Sequence, residues 1–182
     1  MHDPGSGKII SMQIISMLRL PRMSGRILSL CSALFTAQAF SAVSGDYAPQ
    51  VWINPGLYSH HFDTGKNYRA NNTGAGVEVL IAKHHGLMAG TFINSDRARS
   101  HYFAYQWRPW HWQPAEGLGV SAGFIAGAFD GYPHMRNGGW FVAPLPLLAL
   151  EGKRVGANIT VVPNYGNRMH GAVAIQVKLR VW

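Results

Sequence analysis

The sequence predicts an all-β protein, an eight-stranded antiparallel up-and-down β-barrel that spans a membrane. Three observations carry this. Beyond the N-terminal region no run of about 18 apolar residues occurs, so no helix is expected to cross a membrane. Apolar residues instead recur at every second position in eight runs, the period of a strand with two unlike faces. The connections between runs alternate between short turns and longer loops rich in Asn, Gly, Arg and His, the arrangement of outer-membrane barrels.

Residues 1–42 read as an N-terminal extension and a cleaved signal peptide, and 43–182 as the barrel. Arg19, Arg22 and Arg26 precede a short apolar stretch at 27–35, and Ala37-Gln38-Ala39 or Ala42-Val43-Ser44 offers a cleavage site. That is the layout of a secretory signal, too short to span a bilayer. Met17 and Met23 are plausible true starts. Cys31, the only cysteine, lies in the apolar stretch and would leave with the signal. The full chain carries a net charge of +8, and removing 1–42 takes four basic residues and Asp3, leaving 12 basic against 7 acidic. An exported basic chain meets anionic lipid or phosphate; nucleic acid is not expected as a partner.

The strands are expected near 51–62, 74–83, 87–94, 101–110, 117–128, 140–150, 154–162 and 170–182. In the first, Val51, Ile53 and Leu57 oppose Asn54, Tyr58 and His60, which places His60 in the lumen. In the second, Val77, Val79 and Ile81 oppose Glu78. In the seventh, Val155, Ala157, Ile159 and Val161 share a face. In the last, Val173, Ile175, Val177 and Leu179 oppose Gln176, Lys178 and Arg180. The polar strand residues Glu78, Gln106, Arg108, Lys178 and Arg180 suit a wet lumen, and the other face is nearly free of charge. A soluble sandwich or lipocalin-like barrel would share the alternation. It would not call for charge on the inner face, and a mature chain without cysteine has no disulfide to staple it. Trp107, Trp110 and Trp112 near a short turn, and Tyr102, Tyr132 and Trp140 near the long loops, are expected at the membrane interfaces. The run at 140–150 holds Pro144 and Pro146 at the same parity. Neither ring nitrogen can donate to a ladder, so the wall is expected to be breached there.

Several segments together resemble the lipid A palmitoyltransferase (PagP) family. They are Gly117-Leu-Gly-Val-Ser-Ala-Gly123, Trp140 with Ala143-Pro-Leu-Pro-Leu-Leu148, and Trp107-Arg108-Pro109. Asp63 after the first strand, Gly90-Thr-Phe-Ile-Asn-Ser95 and Val162-Pro163 add to these. They run in order from about 51 to 182. The resemblance implies an eight-stranded barrel of the bacterial outer membrane, acting as a monomer. It implies an enzyme that moves a palmitoyl chain from phospholipid to lipid A, with lipid entering through a gap flanked by prolines. Pro144 and Pro146 would be that lateral gate. The family places an Asp-Ser pair at the end of strand three and a His on strand one. Here Asn94 precedes Ser95, and the position of the family's His falls on Leu57. There is also no room before Val51 for the family's amphipathic helix.

Acyl transfer needs a base to activate the acceptor hydroxyl and donors for the oxyanion. The expected set is His60 as base and Ser95 as hydroxyl donor, with Asn94 beside it and Asp63 orienting the imidazole; His61 is the neighbouring alternative. Arg69, Arg97, Arg99 and Arg136, all in long loops, are expected to meet lipid phosphates. No metal-ligand spacing occurs, so neither metal nor cofactor is expected. The alternatives are a non-catalytic barrel that binds lipid or lipopolysaccharide, and a lipid A deacylase.

Overall fold

The computed structural model describes residues 47–63, 65–166 and 168–182. The extension and signal peptide assigned to 1–42 lie outside the described residues. Strands β1 (Gln50–His61), β2 (Asn71–Ala82), β3 (His85–Ile93), β4 (Arg99–Ala115), β5 (Leu118–Phe129), β6 (Phe141–Glu151), β7 (Val155–Val162) and β8 (Ala172–Arg180) form one sheet. Each pairs antiparallel with the next, and β8 closes on β1. The expected eight-stranded barrel is what forms. Closure removes both sheet edges, so every strand finds two neighbours.

The alternation holds along most of the wall. Ile175, Val177 and Leu179 face outward while Gln176 and Lys178 are buried inside. Leu87, Phe103, Tyr105, Trp107, Phe124, Val142 and Leu148 extend the exposed apolar face around the barrel. So wide an apolar exterior is not that of an ordinary soluble monomer. Trp107 and Trp110 flank Phe124 with ring centroids at 6.5 and 6.3 Å, and Trp140 lies 6.1 Å from Phe103 at the long-loop end. Tyr102 departs from the expected belt. It is buried in the lumen, because it shares the inward parity of Ser100, Ala104, Gln106 and Arg108 on β4.

Two strands differ from expectation for the same reason. β4 runs on through the expected turn to Ala115, with register shifts between Trp107 and Trp110 and between Trp112 and Ala115. Pro109 and Pro114 sit at those shifts; each lacks a donor, and a bulge lets the strand continue past it. On β1 the register slips between Asn54 and Gly56, around Pro55. Gly56 takes φ +110, and its α-carbon packs against the backbone of Asn72 and Gly74 where any Cβ would collide. One extra residue flips the faces beyond it. Asn54 therefore points in as expected, but Tyr58 and His60 point out, and Ser59 is buried.

The half of the lumen near the short turns is filled by a polar plug. Lys178 Nζ lies 2.6 Å from Glu78 and 2.8 Å from Glu151, and Arg108 Nη1 lies 2.6 Å from the same Glu151 oxygen. Asn158 donates to Glu78 at 2.6 Å, and the Lys178 ammonium sits 4.8 Å over the Trp52 ring. Two cations balance two carboxylates, and the members come from β1, β2, β4, β6, β7 and β8. The plug ties strands across the barrel rather than along the wall.

Candidate functional site

Above the plug the lumen changes character. Met88, Phe92, Ala104, Ile125, Phe141 and Leu145 line an apolar cavity of about 150 Å³ that opens among the long loops. Its floor is polar. The Tyr102 hydroxyl meets Asn54 Nδ2 at 3.5 Å and Gln176 Nε2 at 3.4 Å. Gly76 and Gly90 admit the Tyr102 ring; a Cβ at either would strike it. The cavity is thus a blind apolar well, closed by tyrosine and the ion network beneath.

One side of this well is not fully laddered. β6 pairs with β5 over its whole length. With β7 it pairs only from Leu147↔Thr160 to Glu151↔Gly156. Residues 141–146 have no partner on that edge. The Pro146 carbonyl accepts from Thr160 Oγ1 at 2.6 Å, so it faces β7. The nitrogen and oxygen of one strand residue point to the same edge, so the missing donors of Pro144 and Pro146 also face β7. Continuing the register sets Pro146 opposite Val161 and Pro144 opposite Pro163, a pair with no N–H on either side. Ala143 and Leu145 on one lip and Thr160 and Val162 on the other all line the cavity. The well is bordered there by a stretch of wall that no β6–β7 ladder pairing closes.

Polar side chains gather at the mouth. Ser59, beyond the β1 bulge, has its Oγ 3.1 Å from Ser95 Oγ. With its carbonyl turned to Ser59, Asn72 accepts that hydroxyl at 2.7 Å and donates to Ile93 O at 3.0 Å and Arg69 O at 3.3 Å. Ser59 then donates to Asn72, and Ser95 to Ser59. His61 closes β1 with its ring stacked on Tyr68 at 4.3 Å. Neither His61 ring nitrogen has a hydrogen-bond partner among the described residues, and the ring lines the cavity. Tyr68 leans on His170 at 5.6 Å. Lys66 Nζ lies 2.7 Å from His170 Nε2; an ammonium only donates, so Nε2 accepts and the proton sits on Nδ1. That Nδ1 faces Asp63 at 3.5 Å. Tyr132 roofs the well edge-on to Phe141 at 5.7 Å, and desolvation pushes its phenol far above the ordinary range, so it stays a neutral hydroxyl.

The residues expected from the sequence are only partly brought together. Ser95 is at the mouth. His60 is exposed on the outside of the wall, and His61 takes the inward place. Asp63 turns to His170 and caps Gly65 N at 3.0 Å rather than orienting His60. Asn94 is fully buried and belongs to the β3–β4 turn. Its Oδ1 accepts from Asp96 N and Ala98 N, both at 3.0 Å. Its Nδ2 donates to Ser100 Oγ and Gly131 O, both at 2.9 Å. Every hydrogen-bonding position of Asn94 is taken by the fold. Arg97 and Arg136 are exposed on the loops, and Arg99 is exposed at the start of β4. Arg69 lies against β2, donating to Asn71 O at 2.6 Å and Thr73 Oγ1 at 3.2 Å. None of the four forms an ion pair among the described residues.

Sequence reasoning missed Ser59, did not pair Asp63 with His170, and chose the wrong member of the His60–His61 pair for the lumen. The signal was present: Pro55-Gly56 in mid-strand is a bulge motif. No group of three or more His, Cys, Asp or Glu side chains among the described residues is arranged to hold a metal ion. No protein-family model matches the chain, and no curated protein is significantly similar to it.

Proposed function

We propose that the protein is an outer-membrane acyltransferase that moves an acyl chain from a phospholipid to lipid A. The carrying observation is the apolar well that ends blind on Tyr102 and runs beside the unladdered part of the β6–β7 seam. A lipid tail needs a dry channel of this kind, and a lipid already in a bilayer reaches it only through the wall. The resemblance to the PagP family supports the same reading, with Pro144 and Pro146 as the lateral gate.

The chemistry follows from the mouth. His61 takes the proton of the acceptor hydroxyl, and that oxygen attacks the ester carbonyl of the phospholipid. The Ser95 hydroxyl, which donates to Ser59 at rest, turns to donate to the oxyanion as it forms. The intermediate collapses, the bond between the acyl carbon and the glycerol oxygen breaks, and His61 returns the proton to that oxygen of the leaving lysophospholipid. The arginines of the long loops suit the phosphates of lipid A, where guanidinium forks bind oxyanions well.

A second reading is favoured by one specific feature. No histidine is hydrogen-bonded to the Ser59–Ser95 pair among the described residues, as would suit a barrel that binds lipid without turning it over. Purified protein in detergent, supplied with phosphatidylcholine and lipid A and followed by mass spectrometry, separates the readings. Transfer adds one acyl mass to lipid A. His61→Ala should lower it by about 100- to 10,000-fold, the usual contribution of a general base, while His60→Ala stays near wild type. Loss of an acyl mass from lipid A would identify a deacylase. No turnover of either lipid would leave the binding barrel.

A further inference from the structure

The opposite end of the barrel holds a feature that acyl transfer does not use. The turns after β2, β4 and β6 converge there with the segment before β1 and the end of β8, enclosing a cleft of about 400 Å³. Lys83, Arg108, His111, Lys153 and Arg180 line it, and Glu151 is its one carboxylate among the lining residues. The Glu151 charge is already met by Arg108 at 2.6 Å and Lys178 at 2.8 Å. Lys83, Lys153 and Arg180 have no carboxylate partner among the described residues.

Lys153 and Arg180 are placed by packing, and Lys83 is exposed at the rim. Gly117, at φ +73, brings its turn under the Lys153 side chain, whose methylenes lie over it. The Arg180 guanidinium rests 5.8 Å over the Trp52 ring. Arg108 is 1% exposed, and its Nε has no hydrogen-bond partner. Burial also raises the Tyr47 phenol, which keeps it a hydroxyl donor on the cleft wall.

We propose that this cleft is a binding site for a phosphate group. Several converging cations and neutral donors match a compact anion with many oxygens better than a single carboxylate. Two sources share that chemistry, the headgroup of an anionic phospholipid and a free phosphate. The proposal stands apart from the acyl-transfer reading, because no residue of the well or its mouth takes part.

The test uses the folded barrel in an uncharged detergent, with folding checked by its heat-modifiable gel mobility. Inorganic phosphate is titrated calorimetrically, and phosphatidylglycerol binding is measured in phosphatidylcholine nanodiscs. Saturable binding of phosphate assigns the free anion; binding of phosphatidylglycerol alone assigns the headgroup. In either case the triple variant Lys83→Gln, Lys153→Gln, Arg180→Gln should bind about tenfold more weakly, as loss of charge-assisted hydrogen bonds implies. Absence of saturable binding to both probes, or equal binding by the folded triple variant, overturns the site.

Discussion

The two halves of the lumen share one wall and one alternation, yet they are built on opposite terms. Near the short turns the interior is charged and crossed from side to side by Lys178, Glu78, Glu151 and Arg108, and β7 is laddered there to both β6 and β8. Near the long loops the interior is apolar and partly empty, and one seam has lost its ladder. A buried ion network couples the strands it spans, because removing one member leaves its partner's charge unmet. An unfilled apolar well adds no packing at all. The difference teaches that the plug half holds the barrel closed, which allows the well half to be hollow and split along β6.

The largest expected effect breaks the plug. Lys178→Ala leaves Glu78 with only Asn158 and takes one of two cations from Glu151. Removing one partner of a buried ion pair costs about 3–5 kcal/mol. Leu145→Ala, on the wall of an existing cavity, should sit near the lower end of the roughly 2–5 kcal/mol span for such truncations. Denaturant unfolding of both variants in detergent measures the contrast. If Leu145→Ala costs as much as Lys178→Ala, the halves do not divide stability in this way.

A smaller effect is expected at the turn between β3 and β4. The family resemblance makes Asn94→Asp look like a restoration. The structure argues the reverse, because Asn94 Nδ2 donates to the Gly131 carbonyl and to Ser100. A carboxylate there faces a carbonyl oxygen and leaves a buried acceptor unmet, at about 1–3 kcal/mol. The expected outcome is a less stable barrel with no gain in acyl transfer. A more active and equally stable variant would show that the turn accommodates the acid and that the site wants it.

Much of the wall was legible in the sequence. On β7 and β8 the period of two assigned the faces correctly, because no bulge interrupts those strands between Val155 and Arg180. Alternation also placed Glu78, Gln106, Arg108 and Lys178 inside, but not their pairing. Glu78 and Lys178 lie one hundred positions apart, and only closure of the barrel brings them together. The mouth was read less well. Parity counted from Val51 assumes a regular strand, and the bulge at Pro55-Gly56 exchanged His60 for His61. Asn94 looked like half of a catalytic pair because sequence order does not show that its amide is spent on backbone. Tyr102 was misplaced by treating aromatics as belt residues when its own parity pointed inward.

The smallest effect is the most discriminating, because it acts on the seam itself. Pro146 faces Val161, and Val161 has an ordinary peptide on which a ladder bond can be built. Pro144 faces Pro163 in the same register, so replacing Pro144 alone supplies a donor opposite a residue that cannot return one. Pro146→Ala should therefore extend the β6–β7 ladder by one step and stabilise the barrel by about 0.5–1.5 kcal/mol, the net worth of one hydrogen bond. Pro144→Ala should do less. If lipid enters through this seam, Pro146→Ala should also slow acyl transfer several-fold while His61 and Ser95 are untouched. Pro144→Ala should slow it less, in the order of the stability gains. Equal effects of the two substitutions, or faster transfer with a longer ladder, would show that the lipid reaches the well from the mouth and that the prolines only end the pairing.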